Sequence, residues 1–259
     1  MKLLVILICL ATIRYIPLGR VEHRYRFLKG YAKIFYHLFK WLKEPSIIAL
    51  LIYIPLGAVL FFLEFYLSQG WGIILKFIIS LWIVWYSLWA ISLHDEVESG
   101  IKAGRPSSSL LSELLSNANR HVLGVIFWYM IFGIAGALLY RLIVELTRWA
   151  QEEAGTFHRL VKSARRIRDL VDWIPVRLVG LGFLLVADFV EGVAAWMYYF
   201  FDEPKKNHHF LEAVGRGAME IHPHTDIDRK VLLQSLKMVE RSFIVWLIII
   251  AIFTLGNII

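Results

Sequence analysis

Between Ile47 and Leu93 the chain carries almost nothing that water would hold. Ile47 to Leu67 is apolar except near its end at Glu64, a short Ser68-Gln69-Gly70 break follows, and Trp71 to Leu93 is apolar again. A helix rises about 1.5 Å per residue and needs about 20 apolar residues to cross a hydrocarbon layer of about 30 Å. Each half meets that length, so the pair reads as a transmembrane helical hairpin. Composition agrees: 58% of residues are hydrophobic, only 19% are charged and the mean hydropathy is +0.61, a surplus of apolar surface that has to face lipid. A soluble globular domain is excluded.

Other stretches approach the same length. Val122 to Val144 is a third candidate span, with Gly124, Gly133 and Gly136 either allowing close helix approach or marking a bend. Phe243 to Ile259 is a fourth. Leu3 to Leu18 is interrupted by Arg14 and is followed by no small-x-small cleavage pattern, so it reads as an uncleaved first helix. Ile174 to Phe200 is long enough but carries Arg177, Asp188 and Glu191, and reads either as a span lining the bundle interior or as a helix partly in the interface. The expected fold is all-α: a polytopic transmembrane bundle of four to six membrane helices with amphipathic interfacial helices, residues 1–259 forming a single membrane domain.

Basic residues test the topology. If all six segments cross with the N-terminus outside, the bias favours that orientation, but six Lys and Arg between 147 and 173 then sit on the wrong side. If Val122 to Val144 and Ile174 to Phe200 are re-entrant or interfacial, every basic connection is cytoplasmic. The sequence leaves both arrangements open. Within the 147–173 connection, Phe157, Leu160, Val161, Ala164, Ile167 and Val171 recur at helical spacing opposite Arg and Lys, an amphipathic helix. It is expected to end at Asp172-Trp173-Ile174-Pro175, where proline suits the first turn of a new helix. Residues 201–242 form a polar connection, expected to be a small extramembrane helical region whose last helix begins near Asp226 as N-cap.

Several chemistries find little support. The net charge of +7 falls between apolar runs, where anionic lipid headgroups and cytoplasmic orientation account for it, and no recognition motif accompanies it, so no nucleic-acid partner is expected. The single Cys9 gives neither a disulfide framework nor a cysteine zinc site. His222 and His224 are metal-capable, but flank a proline at a spacing that matches no zinc motif, and no metal or other cofactor is expected. A phosphate-binding Gly-x-x-x-x-Gly-Lys-Ser/Thr loop, a Gly-x-Ser-x-Gly elbow and a His-Glu-x-x-His pair are all absent.

Ionisable side chains at membrane depth cost a few kcal/mol, so each must be paired, buried in the bundle or functional. Asp188 and Glu191 share a helix face, and Arg177 lies three turns earlier. One reading makes these the lining of a polar cavity or ligand site with Asp172, Trp173 and Arg177 at its mouth and Arg141 as a further member. The other makes them partners in inter-helix pairing with Arg141, Lys76 or Glu64, and makes Arg177 the anchor of its junction.

The string from Ala164 to Leu178, Ala-Arg-Arg-Ile-Arg-Asp-Leu-Val-Asp-Trp-Ile-Pro-Val-Arg-Leu, resembles the AmpE family, membrane proteins tied to β-lactamase regulation and related to the cobalamin-biosynthesis proteins CobD and CbiB. Phe127-Trp128-Tyr129 and the run Gly133 to Arg141 are similar to that superfamily's Phe-Trp, Gly-x-x-Gly and Tyr-Arg pattern. The order of apolar segments matches over the whole chain. Departures separate it from the cobalamin enzymes: no Val-Gly-Arg-Asp-Thr precedes the third span, no Ala-Glu-Asn lies in the Ser116 to Arg120 region, and Leu142-Ile143-Val144-Glu145 stands where Asn-Thr-Leu-Asp would follow Arg141. The resemblance therefore implies an AmpE-like protein of the bacterial inner membrane, with anionic lipid around it and a protein partner in cell-wall recycling or β-lactamase signalling. It implies less of a ligase attaching aminopropanol to a corrinoid.

Overall fold

The computed structural model describes residues 2–15, 26–39, 41–42, 44–67, 73–88, 93–222, 225 and 227–256. Eleven α-helices follow one another among these: α1 Lys2–Tyr15, α2 Arg26–Phe39, α3 Pro45–Leu67, α4 Ile73–Leu88, α5 Leu93–Lys102, α6 Ser107–Ala118, α7 Gly124–Glu152, α8 Ala154–Val186, α9 Phe189–Tyr199, α10 Asn207–Ala218 and α11 Arg229–Leu255. A π turn, Asn119–Leu123, joins α6 to α7, and a 3₁₀ turn, Pro204–Lys206, precedes α10. The described residues contain no strand, so the all-α membrane architecture stands. By length and composition three stretches can cross a bilayer: Ile47–Tyr66, Ile74–Lys102, which includes residues 89–92 outside the described set, and Ser107–Glu152, with Lys2–Thr12 a shorter apolar helix. The Ser68–Gly70 break, His224 and Asp226 lie outside the described residues.

The chain divides into two compact units, Met1–Trp89 with Val125–Val171 and Ala90–Gly124 with Asp172–Ile259. In the first unit α1 packs on α4, and α2 on α3. Pro55 sits inside α3, which lipid-embedded helices tolerate when neighbours satisfy the loosened backbone. Here the Tyr31 hydroxyl donates to the Ile52 carbonyl, 3.1 Å away and within a turn of that proline.

The third expected span is not straight. Gly133 adopts φ 63°, ψ −144° inside α7, a backbone open essentially to glycine alone. Before it, Lys2 Nζ of α1 donates to the Met130 carbonyl at 2.6 Å. After it, Leu139 lies against Gly57, and Leu142, Ile143, Leu146 and Trp149 share one core with Ile48, Ile52 and Tyr53 at the opposite end of α3. The chain therefore reverses at Gly133, and Val122 to Val144 is two helices meeting at a corner.

The second unit is built on α6, the C-terminal half of α8, α9, α10 and α11. Leu110, Leu111, Leu114, Leu115, Val179, Phe183, Phe210, Val214, Leu232 and Val239 form its core. Three expectations change here. The helix that was to stop before Pro175 runs through it to Val186, because tertiary bonds from Trp173 and Arg177 hold the turn that proline weakens. Ile174 to Phe200 is not one helix: it breaks at Ala187-Asp188, where Asp188 caps α9. The last helix begins at Arg229 with Asp228, not Asp226, as its cap, its carboxylate accepting from the Val231 amide at 2.8 Å.

Candidate functional site

The buried polar centre of the second unit gathers at the Asp172–Arg177 junction. A π turn inserts an extra residue into the helical spiral, and such turns re-aim the side chains they carry. Asn119, the first residue of that turn, is 1% exposed and donates through Nδ2 to Oδ1 of Asp172, 3% exposed, at 3.1 Å. A buried carboxylate beside a buried amide is well tolerated only when hydrogen-bonded, which this pair is.

One turn along α8, Arg177 is enclosed by its own chain. Its Nε donates to the Phe200 carbonyl at 3.1 Å, Nη2 to the Asp202 carbonyl at 3.0 Å, and Nη1 to the Asn207 side chain and, at 3.4 Å, to the Trp173 carbonyl. The guanidinium carbon lies over the Trp173 ring, 4.7 Å from its centre, and over the Phe210 ring, 4.6 Å from its centre. Trp173 Nε1 also donates to the Asp202 carbonyl at 3.1 Å, and Trp196 Nε1 to the Arg177 carbonyl at 3.1 Å. Chemically this is a clamp: a planar fork whose donors hold segment 200–207 against α8. At the solvent edge, the exposed Glu203 is drawn below the usual carboxylate range by a hydrogen bond from Lys205, reinforced by that lysine's charge.

The remaining candidates go elsewhere. Asp188 is the N-cap of α9, accepting from the Glu191 amide at 3.0 Å, while its own amide donates to Ala218 at 2.9 Å. Glu191 is exposed in the first turn of α9, where a negative charge suits the helix dipole. Arg141 belongs to the first unit, buried on α7 with Nη2 2.7 Å from Glu145, which also meets Arg148 at 3.0 Å. Among the second-unit candidates, then, Trp173 and Arg177 form one cluster, Asp172 pairs with Asn119, and the acidic pair forms a helix start.

Sequence reasoning missed the receptors of Arg177, which are two loop carbonyls and Asn207, and it missed Asn119. It also missed a second polar network, in which Ser112 Oγ contacts His208 Nδ1 at 2.9 Å and donates to Glu212 at 2.8 Å, with Arg216 on the other oxygen of Glu212 at 3.0 Å. The i, i+4 spacing of His208, Glu212 and Arg216 was its only signal. His222 is exposed, and the described residues contain no group of three potential metal ligands.

A family described as regulatory signalling modulator protein AmpE matches residues 105–259, which include the π turn, the clamp and both polar networks of the second unit. The AmpE protein of Shigella flexneri is 24% identical over 164 residues, 60% of this chain and 57% of that protein. A cobalamin biosynthesis protein CobD of Chromobacterium violaceum is 30% identical over 87 residues, 33% of this chain and 28% of that one. A probable CobD of Methanocaldococcus jannaschii is 27% identical over 156 residues, 55% and 51% of the two chains. The chain thus spans between about a quarter and a half of the length of these CobD relatives. No solved structure matches.

Proposed function

The chain belongs to the AmpE family, and from that premise we propose that it is a regulatory protein of the bacterial inner membrane, linking the state of the cell envelope to β-lactamase induction. The observation that carries the reading is the clamp. Within the family-matched segment, the buried Arg177 directs its hydrogen bonds to the protein's own carbonyls and to Asn207. A side chain so engaged fixes a surface for a partner protein better than it grips a phosphate. The test is deletion of the gene in a strain with inducible β-lactamase, followed by complementation: altered induction restored by the intact gene supports the proposal, and unchanged induction sinks it.

A second reading has its own support, since CobD proteins match part of the chain and Asn119 holds Asp172 in a buried acid–amide pair. It makes the protein a CbiB-like ligase or transferase acting on a phosphorylated small molecule at the membrane. Purified protein that consumes nucleotide in the presence of a corrinoid acid and a phosphorylated amino alcohol would establish it. A small transporter with Asp188 and Glu191 as coupling sites has less support, because Asp188 serves as a helix cap.

A further inference from the structure

We infer that residues 174–200 form a helical hairpin that does not cross the bilayer, and that Met197 and Tyr198, on the outward side of α9 at its C-terminal end, and Phe201, just past it, are seated in the headgroup–acyl boundary of the membrane. The inference rests on the reading of this chain as a membrane protein.

The hairpin follows from its cross-links. Arg177 reaches Phe200 and Asp202, Trp173 reaches Asp202, and Trp196 reaches the Arg177 carbonyl. Nearer the bend, Leu184 lies against Gly192. Pairings of 173 with 202, 177 with 196 and 200, and 184 with 192 are those of two antiparallel helices turning at Ala187-Asp188. Both ends therefore leave on one side of the membrane. With 11 residues, α9 is about 16 Å long, half of what a crossing needs.

The contacts with α11 tell which end of the hairpin meets lipid. At the bend, Ala218 receives the Asp188 amide, and the next residue, Met219, accepts from Ser235 in the charged half of α11. Farther from the bend, Ser242 and Trp246 stand where a Cβ on Gly182 would be, and there α11 turns apolar, exposing Ile244, Ile248 and Ile252. The bend thus lies beside the charged half of α11 and the open end beside the apolar half. At that open end Met197 is 67%, Tyr198 80% and Phe201 86% exposed, an apolar and aromatic patch level with a lipid-facing helix. The seat is shallow, because Asp202, Glu203, Lys205 and Lys206 follow at once. Those four charges pair off, Lys205 with Glu203 and Lys206 with Asp202. Burial of the patch, and not attraction to anionic lipid, is what holds it.

The experiment replaces the native thiol (Cys9→Ser), introduces Met197→Cys or Phe201→Cys, labels each with an environment-sensitive fluorophore, and reconstitutes the full chain in zwitterionic vesicles with and without anionic lipid. Doxyl quenchers are placed near the glycerol backbone or at mid-chain, with iodide as the aqueous quencher. The expected result is strongest quenching by the shallow doxyl, a depth of about 5–10 Å, unchanged by anionic lipid. Strongest quenching by iodide, strongest quenching at mid-chain, dependence on anionic lipid, or a disulfide-linked dimer through residue 197 would each overturn the proposal. Ile54→Cys on the exposed side of α3 is the control: if it too escapes the mid-chain quencher, the membrane reading itself has failed, not the seat of α9.

Discussion

Oε2 of Glu64 accepts the amide of Ala135 at 2.9 Å across 71 positions of sequence, so the acid near the end of α3 caps the helix that begins again after Gly133. The same carboxylate lies 3.4 Å from Lys76, and Lys2 covers the Met130 carbonyl on the other side of the break. A broken helix at membrane depth exposes amides on one side and carbonyls on the other, and it persists only when the protein satisfies both. Here an acid and a lysine do so.

Replacing Gly133 with Ala strains the backbone and sets a Cβ where the Glu64 carboxylate lies. The expected cost is about 2–4 kcal/mol, the positive φ and the lost cap together. Glu64→Ala removes the cap and the Lys76 contact without straining the backbone, and costs less. Because both changes remove the same cap, the double variant is expected to lose less than the two singles summed, as thermal unfolding in detergent would read.

Arg177→Lys keeps the charge and loses the fork. One ammonium cannot serve carbonyls at Phe200 and Asp202 together with Asn207, so about 2–3 kcal/mol of stability goes, with earlier proteolysis in segment 200–206. Trp173→Phe, which loses one bond to Asp202, costs about 1 kcal/mol by the same measurement. If Arg177→Lys leaves stability and proteolysis unchanged, the clamp is not what holds this segment.

Asp188→Asn preserves an N-cap and is expected to be within about 0.5 kcal/mol of the parent, whereas Asp188→Ala loses about 1 kcal/mol. Signalling that fails in Asp188→Asn at normal abundance would show that the charge itself is used.

The membrane hairpin and the family junction were legible because both are written in side chains: long apolar runs in one, Asp-Trp-x-Pro-x-Arg-Leu in the other. What stayed hidden depends on backbone. Nothing in the sequence says that Arg177 will find the carbonyls of residues 200 and 202, since any residue offers a carbonyl. Asp188 looked like a charge in search of a partner because an N-cap in an apolar run resembles a buried acid until the helix break is seen. Pro175 suggested a helix start, and the bonds that carry the helix past it come from residues 25 or more positions away. Gly133 gave a fair hint of a bend, but its partner Glu64 lies in another helix.

The buried ladder on α7 allows a sharper comparison. Glu145 is held by Arg141 at 2.7 Å, with both side chains buried, and by the half-exposed Arg148 at 3.0 Å. Glu145→Leu takes the acid away from a cation already out of water, and such a break costs about 3–5 kcal/mol. Arg141→Met leaves Glu145 with Arg148, so it should cost clearly less. The double variant Arg141→Met, Glu145→Leu puts apolar groups of similar size in both places and should recover most of the loss, since the penalty lies in the stranded charge and not in the missing attraction. Thermal unfolding of the three proteins in one detergent decides it: a double variant no better than Glu145→Leu would mean that Arg141 is stabilised chiefly by something other than this acid.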